Sequence, residues 1–340
     1  MKKDFKKYAF SIVLLIGLTG FALWYVLKDD KDAVLAELSS ISPLNFIGIM
    51  ACSLFYFAFV ALSLYVIAKE KYPHYKFLPS LSNAYVGGFF SGITPSASGG
   101  QVGQVYVFYK QGIDSSDAAG ILWLDFVMYQ VVLIFYTTVL VILRFPVFSS
   151  RVPALFVMIF IGYLMNGVVL AMLFSMAFFP VKFKRFCLKI VTLLHKLHLI
   201  RDSEKALKKC DDYLEAFTKN INKNRSNKNL IWKLVLVNIM RLTVYYSIPF
   251  IIGKLIHVDM NFLDSLALSS YISMANTFFP VPGASGGTEM MFLQLYSLIL
   301  PLTQVSTILI LWRVVTFHLA LIIGCIMFII EKIRRRRIII

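Results

Sequence analysis

Two six-residue segments, far apart in the chain, share a pattern of Pro, Ala, Ser and Gly. The first is Pro95-Ser96-Ala97-Ser98-Gly99-Gly100 and the second is Pro282-Gly283-Ala284-Ser285-Gly286-Gly287. A polar residue follows each segment, Gln101 or Thr288, and could open a short helix. The first N–H groups of a helix lack partners and carry partial positive charge. Both segments are therefore suited to bind an anion such as a phosphate.

The two segments together form the candidate binding site. Glycine lets a backbone or a phosphate approach closely, and Ser and Thr side chains add hydrogen-bond donors. The alternative is that these small residues only permit close packing and capping. The predicted site residues are Pro95, Ser98, Gly99, Gly100 and Gln101 from the first segment, and Pro282, Ser285, Gly286, Gly287, Thr288 and Glu289 from the second.

Ionisable residues are few inside the apolar segments: Asp125, Arg241, Glu289 and Arg313. Such groups are costly in lipid, so they face a protein interior, a cavity or a partner. Asp125 follows Gly100 by 25 residues and Arg313 follows Gly287 by 26, so we expect these two charges to approach each other. The alternative is a pair that only fixes helix packing. Glu289 is either a cap for freed N–H groups or a proton carrier or ligand for a cationic group.

The composition places these residues in a membrane protein. The 340 residues are 59% hydrophobic and 15% charged, with a mean hydropathy of +0.74, whereas soluble domains carry about 25% charged residues. This excludes a soluble enzyme, a secreted disulfide scaffold and a disordered chain. The net charge of +16 is a topology signal rather than a nucleic-acid footprint, and the four widely spaced cysteines indicate neither a disulfide framework nor a metal site.

Six apolar segments are long enough to span a bilayer. They are residues 8–27, 44–68, 118–143, 153–179, 230–252 and 303–330. Two more, 81–109 and 262–300, are interrupted near the middle by Pro, Gly and Ser, which break helices. We predict an all-α polytopic membrane protein with six spanning helices and two broken, re-entrant helical hairpins.

The basic segments favour cytoplasmic N- and C-termini and a cytoplasmic basic loop over 181–228. Each half then has two spans, one hairpin and one further span. Residues 1–150 and 151–340 are thus predicted to be two repeats of opposite orientation. Inverted repeats with broken helices near the midplane are typical of secondary transporters.

One pattern typical of enzymes occurs, since Gly283-Ala284-Ser285-Gly286-Gly287 matches the G-x-S-x-G nucleophile elbow. That motif needs a strand, a sharp turn and a helix in an α/β sheet, which this sequence does not predict. Phosphate-loop, dinucleotide and zinc-protease motifs are absent from the sequence. We therefore predict no catalytic residues, no cofactor and no metal.

The segments Phe89 to Gln101 (FFSGITPSASGGQ) and Phe279 to Glu289 (FPVPGASGGTE) resemble the transmembrane flippase-type domain of bacterial lysylphosphatidylglycerol synthases, also called multiple peptide resistance factors. The resemblance extends over essentially the whole chain in its order of spans. It implies a bacterial cytoplasmic-membrane protein that moves an aminoacylated phospholipid between leaflets. Full-length members add a soluble aminoacyl-tRNA-dependent transferase domain, which has no counterpart in this sequence, so synthase activity is not expected.

The expected function is transport of an anionic or aminoacylated phospholipid, or of a lipid-linked precursor, with its head group at the two segments. The alternatives are a membrane enzyme or enzyme partner in lipid modification, and a secondary carrier of an ion or small solute. Expected partners are the lipid substrate and anionic lipids at the cytoplasmic face, without nucleic acid. A separate lipid-modifying enzyme and a homodimer are left open.

Overall fold

The computed structural model describes residues 31–148, 153–179, 227–276 and 281–334, with isolated positions at 181, 185, 189, 192 and 279. Helices and turns make up these residues, and no strand occurs among them. The helices are α1 (Lys31–Ser39), α2 (Pro43–Lys71), α3 (Phe77–Ile93), α4 (Gly99–Lys110), α5 (Ser115–Phe148), α6 (Pro153–Phe178), α7 (Lys228–Leu255), α8 (Phe262–Ala275), α9 (Gly287–Tyr296), α10 (Leu302–Arg313) and α11 (Leu319–Ile333).

Four stretches of helix are long and apolar enough to cross a membrane: Pro43–Lys71, Ser115–Arg144, Lys228–Leu255 and Leu302–Ile333. They coincide with four of the six predicted spans. A fifth, 153–179, forms α6, whose described apolar part is Ile159–Ser175. The predicted span 8–27 and most of the predicted basic loop 181–228 lie outside the described residues. The chain is an all-α, multi-pass membrane protein.

Both predicted hairpins are present, and each is broken near its middle. The helices α3 and α4 pack against each other around a turn at Pro95–Ala97, and α8 and α9 pack around a turn at Pro282–Ala284. We call residues 94–98 the first tip and residues 281–286 the second tip. Proline at the start of each turn and glycines after it explain why the helices stop there.

The first hairpin opens toward one end of the molecule, which we name the Lys71 end. There Lys71 Nζ lies 2.6 Å from both carboxylate oxygens of Asp117, joining the end of α2 to the start of α5. Gln111, just after α4, donates to the Pro79 carbonyl oxygen in α3 at 2.9 Å and to Glu331 Oε1 in α11 at 3.2 Å. The base of the first hairpin therefore lies at this end.

Tyr72 adds a second hydrogen-bond donor to Asp117 at the Lys71 end. The Tyr72 hydroxyl donates to Asp117 Oδ2 at 2.5 Å. Burial and this hydrogen bond raise the pKa of Tyr72 above its ordinary value, so the hydroxyl stays protonated and remains a donor.

The second hairpin opens toward the opposite end, which we name the Asn45 end. Asn45 Nδ2 donates to the Leu255 carbonyl oxygen at 2.7 Å, joining the start of α2 to the end of α7. Arg144, late in α5, donates from Nη2 to Asn261 Oδ1 at 2.7 Å and forms an ion pair with Asp264, with 3.0 Å between Nε and Oδ1, at the start of α8. The two hairpins thus enter the molecule from opposite ends.

The tips of the two hairpins meet between the Lys71 end and the Asn45 end. Cα atoms of the Pro95–Ala97 turn lie within 8 Å of those of the Pro282–Ala284 turn. The hairpins reach this contact from opposite ends, so each one extends over only part of the distance between the Lys71 end and the Asn45 end. The assignment of residues 1–150 and 151–340 as two repeats stays a prediction, but the opposed hairpins are the arrangement that it requires.

Candidate functional site

The side chain of Thr94 caps the first tip, and most residues of this tip are exposed. The N–H group of Gly99 donates to Thr94 Oγ1 at 2.8 Å, and the Thr94 hydroxyl donates to the Phe90 carbonyl oxygen at 2.6 Å. Ser98 precedes α4 without making a side-chain cap. Exposed residues at this tip are Pro95, Ala97, Ser98 and Gln101. Of the predicted residues here, only Gly100 is buried and Gly99 is half-buried.

The second tip is sealed. Glu289 Oε2 accepts the Gly286 N–H at 2.7 Å, so a carboxylate already occupies the N-terminus of α9. Thr288 Oγ1 lies 2.8 Å from Asn276 Oδ1 and 2.9 Å from the Ala284 carbonyl oxygen. Pro282, Ser285, Thr288 and Glu289 are buried, while Gly286 and Gly287 are half-buried. Glu289 therefore caps the N-terminus of α9, which is one of the two roles considered for it from the sequence.

An alanine in each tip has a left-handed backbone conformation. The φ angles are 55° at Ala97 and 51° at Ala284, and both residues occupy the third position of the six-residue segment. This region costs a residue with a Cβ about 1–2 kcal/mol. The repeated sequence thus encodes a repeated and strained backbone, and such strain concentrates at functional sites.

Replacing Ala97 with Gly is expected to stabilise the protein by about 1 kcal/mol, because glycine adopts this conformation without steric cost. The Ala97 side chain is exposed, so little packing is lost. The matched control is Ala61→Gly in the buried interior of α2, which should destabilise by about 1 kcal/mol or more. Unfolding of the purified variants measures both. A loss of stability for Ala97→Gly would show that the tip is not strained.

Glu289 forms a buried ion pair with Arg313, the last residue of α10. Its Oε1 lies 2.6 Å from Arg313 Nε and 2.5 Å from Nη2. Arg313 Nη2 also donates to the Gly283 carbonyl oxygen in the second tip at 3.3 Å. Both side chains are about nine-tenths buried, each 10% exposed. The pair joins α10, α9 and the second tip.

The expected pair between Asp125 and Arg313 is wrong, because each residue has another partner. Asp125 lies on α5 and faces Arg241 on α7, with 3.6 Å between Asp125 Oδ2 and Arg241 Nη1. The other Asp125 oxygen accepts a hydrogen bond from the Ser63 hydroxyl at 2.5 Å. Helix α7 packs against α5, and α9 packs against α10, so each charge pairs with an opposite charge on a helix that contacts its own.

Aromatic rings surround the two arginines. The guanidinium carbon of Arg241 lies 4.5 Å from the centre of the Tyr129 ring, and that of Arg313 lies 4.9 Å from the Phe317 ring. The Tyr245 ring, one turn after Arg241, is 4.9 Å from Tyr56. It is also 6.3 Å from the ring of Trp312, the neighbour of Arg313. Tyrosines therefore link the two charged pairs.

The helix that carries Arg313 changes its winding immediately after that residue. Val314–His318 form a π-helical turn between α10 and α11. His318 Nδ1 lies 3.1 Å from the Arg313 carbonyl oxygen, one of the groups that such a turn displaces. Single π-helical turns occur frequently at functional sites, which is consistent with the position of this one beside the second tip.

The sequence matches one family of membrane proteins over residues 9–324, described as the lysylphosphatidylglycerol synthase TM region. The chain belongs to this family. A curated relative, a UPF0104 membrane protein of Archaeoglobus fulgidus, is 25% identical over 251 residues, which cover 74% of this chain and 75% of the relative.

Several residues around the tips and the charged pairs make contacts that the sequence analysis did not single out. Thr94 caps the first tip and Asn276 bonds the second, while Ser63 contacts Asp125 and Tyr129 contacts Arg241. Only Thr94 had a signal, because a Thr hydroxyl can bond nearby backbone groups in a turn and proline favours the following turn position. In the described ranges, no group of three or more His, Cys, Asp and Glu side chains could hold a metal ion.

Proposed function

We propose that this protein moves a lipid with an anionic head group between the two leaflets of a membrane. The observation that carries the proposal is the meeting of two half-crossing hairpins, which enter from opposite ends and touch at their tips. Transporters with inverted repeats bind substrate at such a junction and expose it alternately to each side. The family description, which names a phospholipid synthase region, supports a lipid as the cargo.

The unequal tips support a path that is open at one side. The first tip is exposed and the second is buried, although their sequences match. An exposed face continues along α4 from the first tip toward the Lys71 end through Val102, Tyr106 and Tyr109, which are 71%, 38% and 41% exposed. A lipid head group would enter along this face and meet the N-terminus of α4, where the helix dipole favours negative charge.

The proposal includes an orientation and a cargo class. The Lys71 end is the cytoplasmic end, because it carries the basic residues that the positive-inside rule assigns there, and the membrane is the cytoplasmic membrane. The cargo is an anionic or aminoacylated phospholipid or a lipid-linked precursor, supplied by a separate enzyme. The chain itself acts as a transporter and not as a catalyst, so it leaves the lipid chemically unchanged.

A vesicle assay tests this function. Purified protein is reconstituted into liposomes that carry fluorescent phosphatidylglycerol, lysylphosphatidylglycerol or phosphatidylcholine, and membrane-impermeant dithionite bleaches the outer leaflet. We expect protein-containing vesicles to expose inner-leaflet phosphatidylglycerol or its lysyl ester faster than protein-free vesicles. Mass spectrometry of the recovered lipid should find no change. Equal rates with and without protein for every lipid would refute the proposal.

A variant in the first tip makes the assay specific. Ser98→Trp places a large ring at an exposed residue of the tip and should slow lipid movement about tenfold or more, the factor given by about 1.4 kcal/mol of barrier. The matched control is Val157→Trp on α6, a residue that is 58% exposed and far from both tips in the chain. Equal loss of activity in both variants would contradict a role for the tip.

A further inference from the structure

Arg241 is a buried cation whose hydrogen bonds are incomplete. Its Nε atom is buried and makes no hydrogen bond within the residues that the structure describes. Its Nη1 atom lies 3.5 Å from Asn238 Oδ1, at the limit of a hydrogen bond, and 3.6 Å from Asp125 Oδ2, beyond it. A guanidinium has five N–H donors in a planar fork, so this one retains donors for another acceptor.

Arg313 is the internal comparison for Arg241. Its Nε and Nη2 atoms bond Glu289 at 2.6 and 2.5 Å, and a carbonyl oxygen lies 3.3 Å away. The two arginines are similarly buried, with side chains 10% and 12% exposed. Among the described residues, Arg241 therefore has a buried nitrogen, Nε, without a hydrogen-bond partner, whereas the Nε of Arg313 is bonded to Glu289. Buried polar groups without partners are rare and are explained by strain, by water or by a ligand.

The surroundings of Arg241 suit an oxyanion rather than a second carboxylate of the protein. The Ser63 hydroxyl donates to one Asp125 oxygen at 2.5 Å, and the other oxygen lies 3.6 Å from Arg241 Nη1, so this carboxylate is shared between two partners. Tyr129 lies against the guanidinium face at 4.5 Å, and the Tyr56 hydroxyl interacts with the same group. Tyrosine hydroxyls can donate to a phosphate oxygen, while Asp125 can attract the cationic part of an aminoacylated head group.

Arg241 is connected to the tips through one aromatic layer. It lies one helical turn before Tyr245, whose ring is 6.3 Å from the Trp312 ring, and the next residue, Arg313, binds the second tip. Asp125 and Arg241 lie inside two of the membrane-spanning helices, away from both ends. An anion bound at Arg241 would therefore be located within the membrane thickness.

We propose that Arg241, with Tyr56 and Tyr129, binds the phosphate oxyanion of the lipid head group during its passage. This rests on the proposed function, because it assigns the cargo's phosphate to a residue. The phosphate of the lipid then accepts the hydrogen bonds that the Arg241 guanidinium does not make within the described part of the protein. Arg313 and Glu289, in contrast, hold the second tip in place and do not contact the lipid phosphate.

Binding to purified full-length protein in detergent tests this assignment. Phosphatidylglycerol, diacylglycerol and inorganic phosphate are each titrated, and bound lipid is measured by native mass spectrometry alongside the thermal midpoint. Wild type should bind phosphatidylglycerol and not diacylglycerol. If inorganic phosphate raises the thermal midpoint and this effect depends on Arg241, the site also accepts free phosphate. If inorganic phosphate has no effect while phosphatidylglycerol binds, the ligand of the site is the phosphate of a lipid.

Two variants at the pair give opposite expected signs. Asp125→Asn/Arg241→Gln removes both charges and should weaken phosphatidylglycerol binding about tenfold or more, the usual loss for hydrogen bonds to a charged group. Asp125→Asn alone frees the guanidinium from its competing carboxylate and should tighten binding several-fold. A misfolded protein cannot produce that gain. Wild-type binding by the double variant, or no gain in Asp125→Asn, would overturn the assignment.

The result is distinguishable from a failure of the transport proposal. Lipid movement that continues unchanged in Asp125→Asn/Arg241→Gln would refute the role of Arg241 and leave transport intact. Binding that depends on Arg241, in a wild-type protein that moves none of the tested lipids, would refute transport and support the binding site.

Discussion

Arg313→Met is expected to lower the free energy of unfolding by about 3–5 kcal/mol, because removal of one partner leaves a buried charge uncompensated. The carboxylate of Glu289 would lose both contacts to the guanidinium, at 2.6 and 2.5 Å, while it still caps Gly286. The Gly283 carbonyl oxygen in the second tip would lose a donor as well. Denaturant unfolding of the purified variant in detergent gives the measurement.

Two further variants test whether the stability loss in Arg313→Met comes from the unpaired charge of Glu289. Glu289→Gln/Arg313→Met removes both charges and keeps an amide oxygen to cap Gly286, so it should recover at least half of the lost stability. Lys254→Met breaks an exposed pair with Asp259, which is 97% exposed, and should change stability little because solvent screens such pairs. A loss for Arg313→Met no larger than that of Lys254→Met would show that the Glu289–Arg313 pair does not stabilise the fold.

Gly324→Leu is expected to destabilise the protein by about 3 kcal/mol, at the upper end of the range for overpacked interiors. A Cβ at Gly324 in α11 would lie 2.3 Å from the Tyr85 carbonyl oxygen and 2.6 Å from the Phe89 Cβ, both in α3. These atoms belong to a backbone and its first side-chain carbon, so they cannot turn aside. Helices α3 and α11 would have to separate, and α3 carries the first tip.

The control for Gly324 is Gly167→Leu on α6. No atom lies within 4 Å of the position that a Gly167 Cβ would take, so this change should be neutral or slightly stabilising, since leucine favours a helix more than glycine by about 1 kcal/mol. Thermal unfolding of the two variants in the same detergent compares them directly. A similar midpoint for both would mean that α3 and α11 do not pack as closely as the structure indicates.

The hairpins could be predicted from sequence because their interruption is local. Proline lacks an N–H group and glycine weakens a helix, so each Pro-to-Gly-Gly segment marks a break whatever surrounds it. The two copies of that segment also predicted that the breaks would match, and they share a left-handed alanine at the same position. What the sequence did not contain was the difference between the tips, since burial depends on the helices packed around them.

The charged pairs could not be predicted in the same way. Equal spacing after the Gly-Gly pairs suggested that Asp125 and Arg313 meet, but spacing along a chain does not fix which helices are neighbours. The nearest opposite charge for Asp125 comes from α7, more than one hundred residues later, and that for Arg313 comes from the adjacent α9. A local rule sufficed for Glu289 alone, because a carboxylate three residues after Gly286 is a cap.

The contact between the tips has a consequence for biosynthesis. About 190 residues separate Ala97 from Ala284, which a ribosome adds in about 10–40 seconds at roughly 5–20 residues per second. Throughout that interval the first tip lies in the bilayer without the second tip that contacts it. Polar backbone cannot remain exposed to hydrocarbon without several kcal/mol of cost. The hydrogen bond from the Gly99 N–H to Thr94 Oγ1 at 2.8 Å lies wholly within the first hairpin, so it can satisfy this backbone group before the second tip is made.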